Sequence, residues 1–358
     1  MLMNRICSYL RCLMENGNQL KVLSYFSAWR ILIPIALGLG ISGFMIGRSV
    51  NADVFNQVDW GLKTIFWLTI AVFCLLLRDL MNMIRIRHLT GKRLSWKQVF
   101  QIIMLWEFGS SVTPAVIGGG AVAFFIVHKE GIPFGRSTAV VMITSLFDEL
   151  FFVLTVPFIF LILRSQGFLG ATLAGLPLSQ EWVFWLGYFY IVFLMLFIIT
   201  TVFILPQQFK KLIIFLFQFP FLRRWRSKAE KMGNDLIIAS REMRGQSILF
   251  WIKTLLVTFI AWTARFFIIN CIIMAFMPGV DHFALFSRQM IMWVVMLISP
   301  TPGASGVAEW MFSDYLGMFI VAGMAPLLAV IWRLMTFYYY LIMGSLVLPV
   351  WVRRVFNN

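Results

Sequence analysis

The chain is 358 residues long, 61% of them hydrophobic, with a net charge of +15 and a mean hydropathy of +0.87. That composition excludes a water-soluble globular domain, since so much apolar surface needs lipid to cover it. The positive charge does not indicate nucleic acid, because the basic residues sit in short loops beside apolar runs, where they act as topology signals.

Residues 1–28 carry Arg5, Arg11 and Lys21 and form an N-terminal segment. Six apolar runs then have the length and composition of bilayer spans: about 29–47, 64–84, 137–163, 182–205, 248–277 and 319–348. Val50-Asn51-Ala52 faintly resembles a leader cleavage site, but the 28-residue lead and long apolar core favour an uncleaved helix. Two further apolar stretches are broken in the middle. "SVTPAVIGGG" (Ser111 to Gly120) interrupts 99–131, and "SPTPGASG" (Ser299 to Gly306) interrupts 289–317. Proline and repeated glycine are poor helix formers, and irregular backbone at membrane depth is tolerated only inside protein or beside a wet cavity.

Loop charge sets the orientation. The segment 85–98 carries five basic residues and no acid, and 206–247 carries nine against three. The chain ends "WVRRVFNN", whereas 48–63, 164–181 and 278–288 are nearly balanced. The positive-inside rule puts the basic set, with both termini, in the cytoplasm. The loops 85–98 and 129–136 then share one side, so 99–131 enters and leaves by the same face. By the same reasoning 289–317 re-enters from the opposite face. Within 206–247, an apolar part beside Arg223, Arg224, Arg226 and Lys228 suits either an interfacial helix on an anionic lipid surface or a solvated topology loop.

Both interruptions read S-x-T-P-x-x-x-G. Thr113, Pro114, Gly118, Gly119 and Gly120 mark the first, and Thr301, Pro302, Gly303 and Gly306 the second. Each half of the chain, 29–181 and 182–358, thus has two spans, a broken hairpin and a third span. An odd number of crossings inverts the second half relative to the first. The expected architecture is all-α, about six transmembrane helices plus two re-entrant hairpins in an inverted repeat, a pattern that points to a transport site at the midplane.

Charges within spans cost about 2.5–3.5 kcal/mol on insertion scales and mark function by default. Asp148, Arg265 and Arg333 lie near the middle of their spans. Asp148 shares a helical stripe with Ser137, Thr144 and Thr155, which reads as a cavity lining, while Glu149 projects about 100° away. Asp148 follows Gly118 by 30 residues and Arg333 follows Gly306 by 27, so in an inverted repeat the two are expected to face each other as an ion pair. Glu309 follows the second interruption and either lines a cavity or caps a helix. Glu107 is a weaker candidate of the same kind. Arg78 and Asp79 are accounted for by snorkelling. No nucleophile-base-acid set or phosphate-binding glycine loop is evident, and the cysteines (Cys7, Cys12, Cys74, Cys271) and histidines (His88, His128, His282) form neither a CxxC pair nor a metal motif. No metal and no cofactor are expected.

"TPAVIGGG", "HKEGIPFGRSTAVVMITSLFDEL" and "PTPGASGVAEWMF", with the late Arg333, resemble the lysylphosphatidylglycerol synthase transmembrane-region family over about 29–350. The resemblance matches Pro114, Gly118 and Gly119 to the first motif and Asp148 to its downstream acid. It matches Pro302, Gly303, Gly306 and Glu309 to the second motif, and Arg333 to the terminal arginine. The chain departs from the family at "GGGAVAFF", where an acidic residue often follows the glycine pair. The resemblance implies a flippase-like protein of the bacterial inner membrane that moves a phospholipid or other polar-headed lipid between leaflets. The synthase activity belongs to a separate soluble domain and is not expected here. A membrane-embedded lipid-modifying transferase, an accessory subunit of an envelope pathway, and a homo-oligomer remain open alternatives.

Overall fold

The computed structural model describes residues 61–113, 118–165, 178–216, 226–297 and 301–356, together with Gly40, Gln218 and Ser299. The span expected at 29–47 and residue Pro114 lie outside the described residues, as do Arg223 and Arg224. Among the described residues the chain is helical and contains no strand. In chain order the helices are α1 (Leu62–Leu89), α2 (Trp96–Val112), α3 (Gly118–Lys129), α4 (Phe134–Ser165), α5 (Leu178–Ile198), α6 (Pro206–Leu216), α7 (Arg226–Arg244), α8 (Ile248–Phe276), α9 (His282–Met296), α10 (Val307–Leu316), α11 (Ala325–Arg333) and α12 (Tyr339–Phe356). A π-helical turn, Ile199–Ile204, follows α5, and another, Leu334–Tyr338, joins α11 to α12.

Among the described residues, five segments are long and apolar enough to cross a membrane: Leu62–Leu89, Phe134–Ile159, Phe184–Ile204, Ile248–Phe276 and Ala325–Phe356. They coincide with five of the expected spans, with one shift. The last begins at Ala325 rather than 319, because Gly323 adopts φ +88° and Pro326 sits in the first helical turn, where its missing N–H is harmless. Their outward faces carry large apolar side chains, among them Phe66 and Phe73 on α1, Phe189 and Phe193 on α5, and Ile342 and Leu346 on α12. A helix that is apolar all round belongs inside a protein or a membrane, and these exposed faces are what lipid would cover.

The two broken stretches each fold as a pair of short helices. In the first, Gln98 donates to Glu130 at 2.8 Å, while Gly109 faces Val122 and Gly119 faces Ser110. That descending register makes α2 and α3 an antiparallel hairpin. In the second, α9 packs on α10, and Arg288 Nη1 donates to the Tyr315 carbonyl at 3.5 Å. The helix α9 starts at His282, earlier than the expected 289, because Asp281 caps it by accepting from the Phe283 and Ala284 amides at 2.9 and 3.2 Å.

Side-chain contacts mark two ends of the bundle. At one end Glu130 accepts from Trp351 Nε1 at 2.7 Å and from Arg354, Arg136 pairs with Glu242 at 2.8 Å, and His88 meets the Phe250 carbonyl at 3.2 Å. The basic loops and the C-terminal helix therefore gather at one end. At the other, Thr64 donates to the Ala275 carbonyl at 3.0 Å, and Asn270 donates to the His282 carbonyl at 3.3 Å. The second interruption approaches α2 between these ends: a Cβ on Gly303 would lie 3.0 Å from the Ser111 carbonyl.

The basic segment 206–247 is not a solvated loop in its described part. Helix α7 packs on α4 and α6, so closely that a Cβ on Gly135 would strike the Asp235 backbone.

Gly119 is buried, and its missing Cβ leaves room for Ser110 rather than for a cavity. Gly119→Leu should force α2 and α3 apart and cost about 1–3 kcal/mol of stability, the usual range for overpacking. Gly120, where a Cβ meets open space, should accept alanine without loss. Thermal unfolding of both purified variants in detergent checks the contrast.

Candidate functional site

The second tip is irregular backbone that carries its own cage of hydrogen bonds. Gly303, Ala304 and Gly306 have φ of +57°, +52° and +84°, a region that suits glycine and strains alanine. The Ala304 amide bonds the Thr301 carbonyl at 3.0 Å and the Ser305 amide the Pro302 carbonyl at 3.1 Å. The Ser299 and Thr301 hydroxyls lie 3.0 Å apart. Glu309 accepts from the Gly306 amide at 2.7 Å, and its other oxygen accepts from Arg333 Nε at 3.0 Å. Arg333 Nη2 reaches the Gly303 carbonyl at 3.0 Å and the Ser305 hydroxyl at 3.3 Å. Glu309 is 1% exposed, so it is a cap and clamp behind the tip, not part of a cavity wall.

Beside this tip lies a cavity of about 290 Å³, bounded by α2, α4, α8, α9, the second tip and the π turn after α11. Its charged wall residues are Glu107, Asp148, Glu149, Arg265 and Arg333. Smaller voids of about 50 and 70 Å³ share Glu107 and Asp148 with it and lead toward Arg85 and Ile86, near the basic-loop end of α1. The volume lies at the low end of the roughly 300–1,000 Å³ typical of ligand pockets.

Three of the five charges are already matched. Arg78 pairs with Glu107, Arg85 with Asp148 at 2.6 Å, and Arg333 with Glu309 at 3.0 Å. Asp148 also accepts from Trp262 Nε1 at 2.8 Å. The expected Asp148–Arg333 pair is therefore replaced by two others. The cause is reach: Arg85 comes to Asp148 from α1, while the second tip consumes the Arg333 guanidinium. Among the described residues Arg265 and Glu149 have no ion-pair partner. Arg265 lies over two indole faces, Trp293 at 4.1 Å and Trp262 at 5.2 Å from the ring centroids, and the buried Trp293 Nε1–H has no acceptor among the described residues.

Other expectations change with the geometry. Glu149 lines the cavity beside Asp148, because adjacent helical residues 100° apart both fit a cavity that wraps the helix. The Ser137, Thr144 and Thr155 hydroxyls bond the carbonyls of Ile132, Val140 and Phe151, so that stripe satisfies itself. Thr113 likewise bonds the Gly109 carbonyl at 2.5 Å as α2 ends. Of the tip residues, Gly303 reaches the cavity wall, whereas Thr301, Pro302 and Gly306 shape the turn behind it. Arg78 and Asp79 do not snorkel: they are 3% and 5% exposed, and Tyr340 donates to Asp79 at 2.6 Å while accepting from Arg78. The spacing of Arg78, Asn82 and Arg85 is a helical stripe, and it is the signal in the sequence for the α1 contribution.

Removing either member of a buried pair leaves an uncompensated charge, at a cost of about 3–5 kcal/mol. Glu309→Gln and Arg333→Gln should each destabilise strongly, with the double variant losing much less than the sum. Asp148→Asn combined with Arg333→Gln should be nearly additive. Thermal-unfolding double-mutant cycles separate the two cases.

The family model described as "Lysylphosphatidylglycerol synthase TM region" matches residues 31–344. A "UPF0104 membrane protein" of Archaeoglobus fulgidus (strain ATCC 49558 / DSM 4304 / JCM 9628 / NBRC 100126 / VC-16) is 26% identical over 324 residues, 85% of this chain and 94% of the relative. No solved structure matches. With a family model matched over nearly its whole length and a set of apolar spanning helices, the chain is a multi-pass integral membrane protein that belongs to the lysylphosphatidylglycerol synthase transmembrane-region family.

Proposed function

We propose that the protein moves a polar-headed phospholipid between leaflets, with the headgroup passing through the cavity while the acyl chains stay in lipid. The observation that carries this reading is Arg265, a cation with no carboxylate within ion-pair distance among the described residues, set against Trp262 and Trp293 in a cavity beside two interrupted helical stretches. A guanidinium with no carboxylate in direct contact is costly in a low-dielectric site. The site favours an arriving anion, and a headgroup phosphate accepts from a guanidinium in a bidentate fork. The buried Trp293 Nε1–H offers a second donor.

Two features support a re-entrant, inverted arrangement. The hairpins approach each other from opposite ends, and the spans preceding them, α1 and α8, pack extensively together, as equivalent elements about a pseudo-twofold axis do. At the basic-loop end α6 presents Lys210 and Lys211 beside the exposed Leu212 and Phe215. This combination suits contact with an anionic cytoplasmic leaflet.

Reconstituted into liposomes with fluorescent anionic, aminoacylated and glycosylated lipids, the protein should accelerate leaflet exchange of at least one phospholipid. Arg265→Gln should slow that exchange by about tenfold or more, the effect of losing about 1.4 kcal/mol of headgroup interaction. Recovery of a chemically altered lipid would identify a transferase instead. Absence of exchange for every lipid would overturn the transport reading.

Orientation has its own test. A cysteine at position 92 should react with an impermeant reagent only from the cytoplasm, and one at 278 only from outside. Both positions are exposed, and the reverse pattern would invert the assignment made from loop charge.

A further inference from the structure

Glu149 is the cavity carboxylate that the ion-pair layout leaves over. Glu107 has Arg78, and Asp148 has Arg85 at 2.6 Å and Trp262 Nε1 at 2.8 Å. Glu149, the next residue along α4, lines the same cavity and, among the described residues, has no cation within ion-pair distance and no hydrogen-bond donor.

Its surroundings are acidic or already committed. Asp148 lies beside it on α4, and Glu107 faces the cavity from α2. From α5 the group in electrostatic reach is Tyr190, while Tyr188 is turned to the Val153 carbonyl at 3.5 Å. From α8 the cavity receives Arg265, held over the indoles of Trp262 and Trp293, and from α11 Arg333, held by Glu309. From α1 Arg85 is spent on Asp148. The wall contribution of α9 is Trp293, Met296 and Leu297, none of which titrates. Helices α3 and α7 meet α4 near Phe134–Arg136, where His128 lies against Phe134 and Glu242 pairs with Arg136.

A partly buried carboxylate beside Asp148, with no cation within ion-pair distance among the described residues, is the arrangement that binds a proton. Intramembrane carboxyl groups placed in this way are the usual carriers in proton-driven transport. We propose that Glu149 couples lipid movement to the proton gradient. The carboxylate takes up one proton in the empty cavity, becoming a neutral acid. It returns that proton to water on the other side during the same transport cycle, so one proton crosses per turnover and no bond of the lipid is broken. Two smaller voids that share Glu107 and Asp148 with the cavity lie on its Arg85 and Ile86 side, the direction in which the proton would leave for the basic-loop end.

This inference rests on the transport reading, and the test keeps the two apart. Infrared difference spectra of the purified protein in heavy water should contain a protonated-carboxyl band that disappears in Glu149→Gln and returns, shifted, in Glu149→Asp. In proteoliposomes, wild-type leaflet exchange should change severalfold when an imposed pH gradient is reversed. Glu149→Gln should exchange at one rate whatever the gradient, and Glu149→Asp should recover the response. Exchange that ignores the gradient in the wild type, a response that persists in Glu149→Gln, or a carboxyl band indifferent to the substitution each overturns proton coupling while leaving transport in place. Absence of any exchange in the wild type overturns both.

Discussion

The arrangement at the centre of the molecule depends on one interaction, the Glu309–Arg333 clamp on the second tip. An interrupted helix bares amides and carbonyls that lipid cannot satisfy. Here a single ion pair meets that demand from both directions. The carboxylate takes the Gly306 amide, and the guanidinium takes the Gly303 carbonyl. Each partner thereby does two things, neutralising the other and completing the backbone. Burying charge is worthwhile only when every remaining lone pair and proton finds a partner, and this pair is close to that condition. Once the tip is held, Gly303 can press against Phe337 and the Ser111 carbonyl at the end of α2. The cavity is the space beside that meeting point.

The other buried charges follow the same logic at lower stakes. Arg78 is shared between Glu107 and Tyr340, with Asp79 on the far side of the same hydroxyl, so α1, α2 and α12 are tied by one polar knot. Glu130 does the equivalent at the basic-loop end, gathering Trp351, Arg354 and Gln98. Each knot joins helices distant in sequence. Direction is therefore imposed on elements that hydrophobic contact alone would leave free to rotate in lipid, where apolar helices gain little by choosing one apolar neighbour over another.

Much of this was legible in the sequence, and the unread part has a consistent cause. Five spans and both interruptions were visible because span length and Pro/Gly breaks are local properties. The gathering of the basic loops was visible because charge bias marks one side. What failed was pairing. Asp148 and Arg333 were matched by their offsets from Gly118 and Gly306, but offsets measure position along a helix and not which helix crosses in front. Arg85 looked like the start of a basic loop, yet it reaches back one turn into the bundle to take Asp148. The Ser137, Thr144 and Thr155 stripe looked like a cavity face, but in helices such hydroxyls bond their own preceding turn and need no cavity. Glu149 was set aside on angle alone, although a cavity that wraps a helix takes neighbouring residues on both sides of its axis.

The π turn at Leu334–Tyr338 shows why these features cannot vary independently. Arg333 immediately before it holds the second tip, Thr336 and Phe337 within it face the cavity, and Tyr340 just after it holds Arg78 and Asp79. Three contacts with three different parts of the molecule thus fall within eight residues of one strand of backbone. A π turn has looser hydrogen-bond registry than α-helix and recurs at functional sites. In this chain it lies between two fixed points, the tip clamp and the α1 knot. Any change in the cavity wall at Phe337 must be absorbed within that turn or transmitted to one of the two. The backbone is irregular where the cavity wall must give, and the buried ion pairs stand on either side of it.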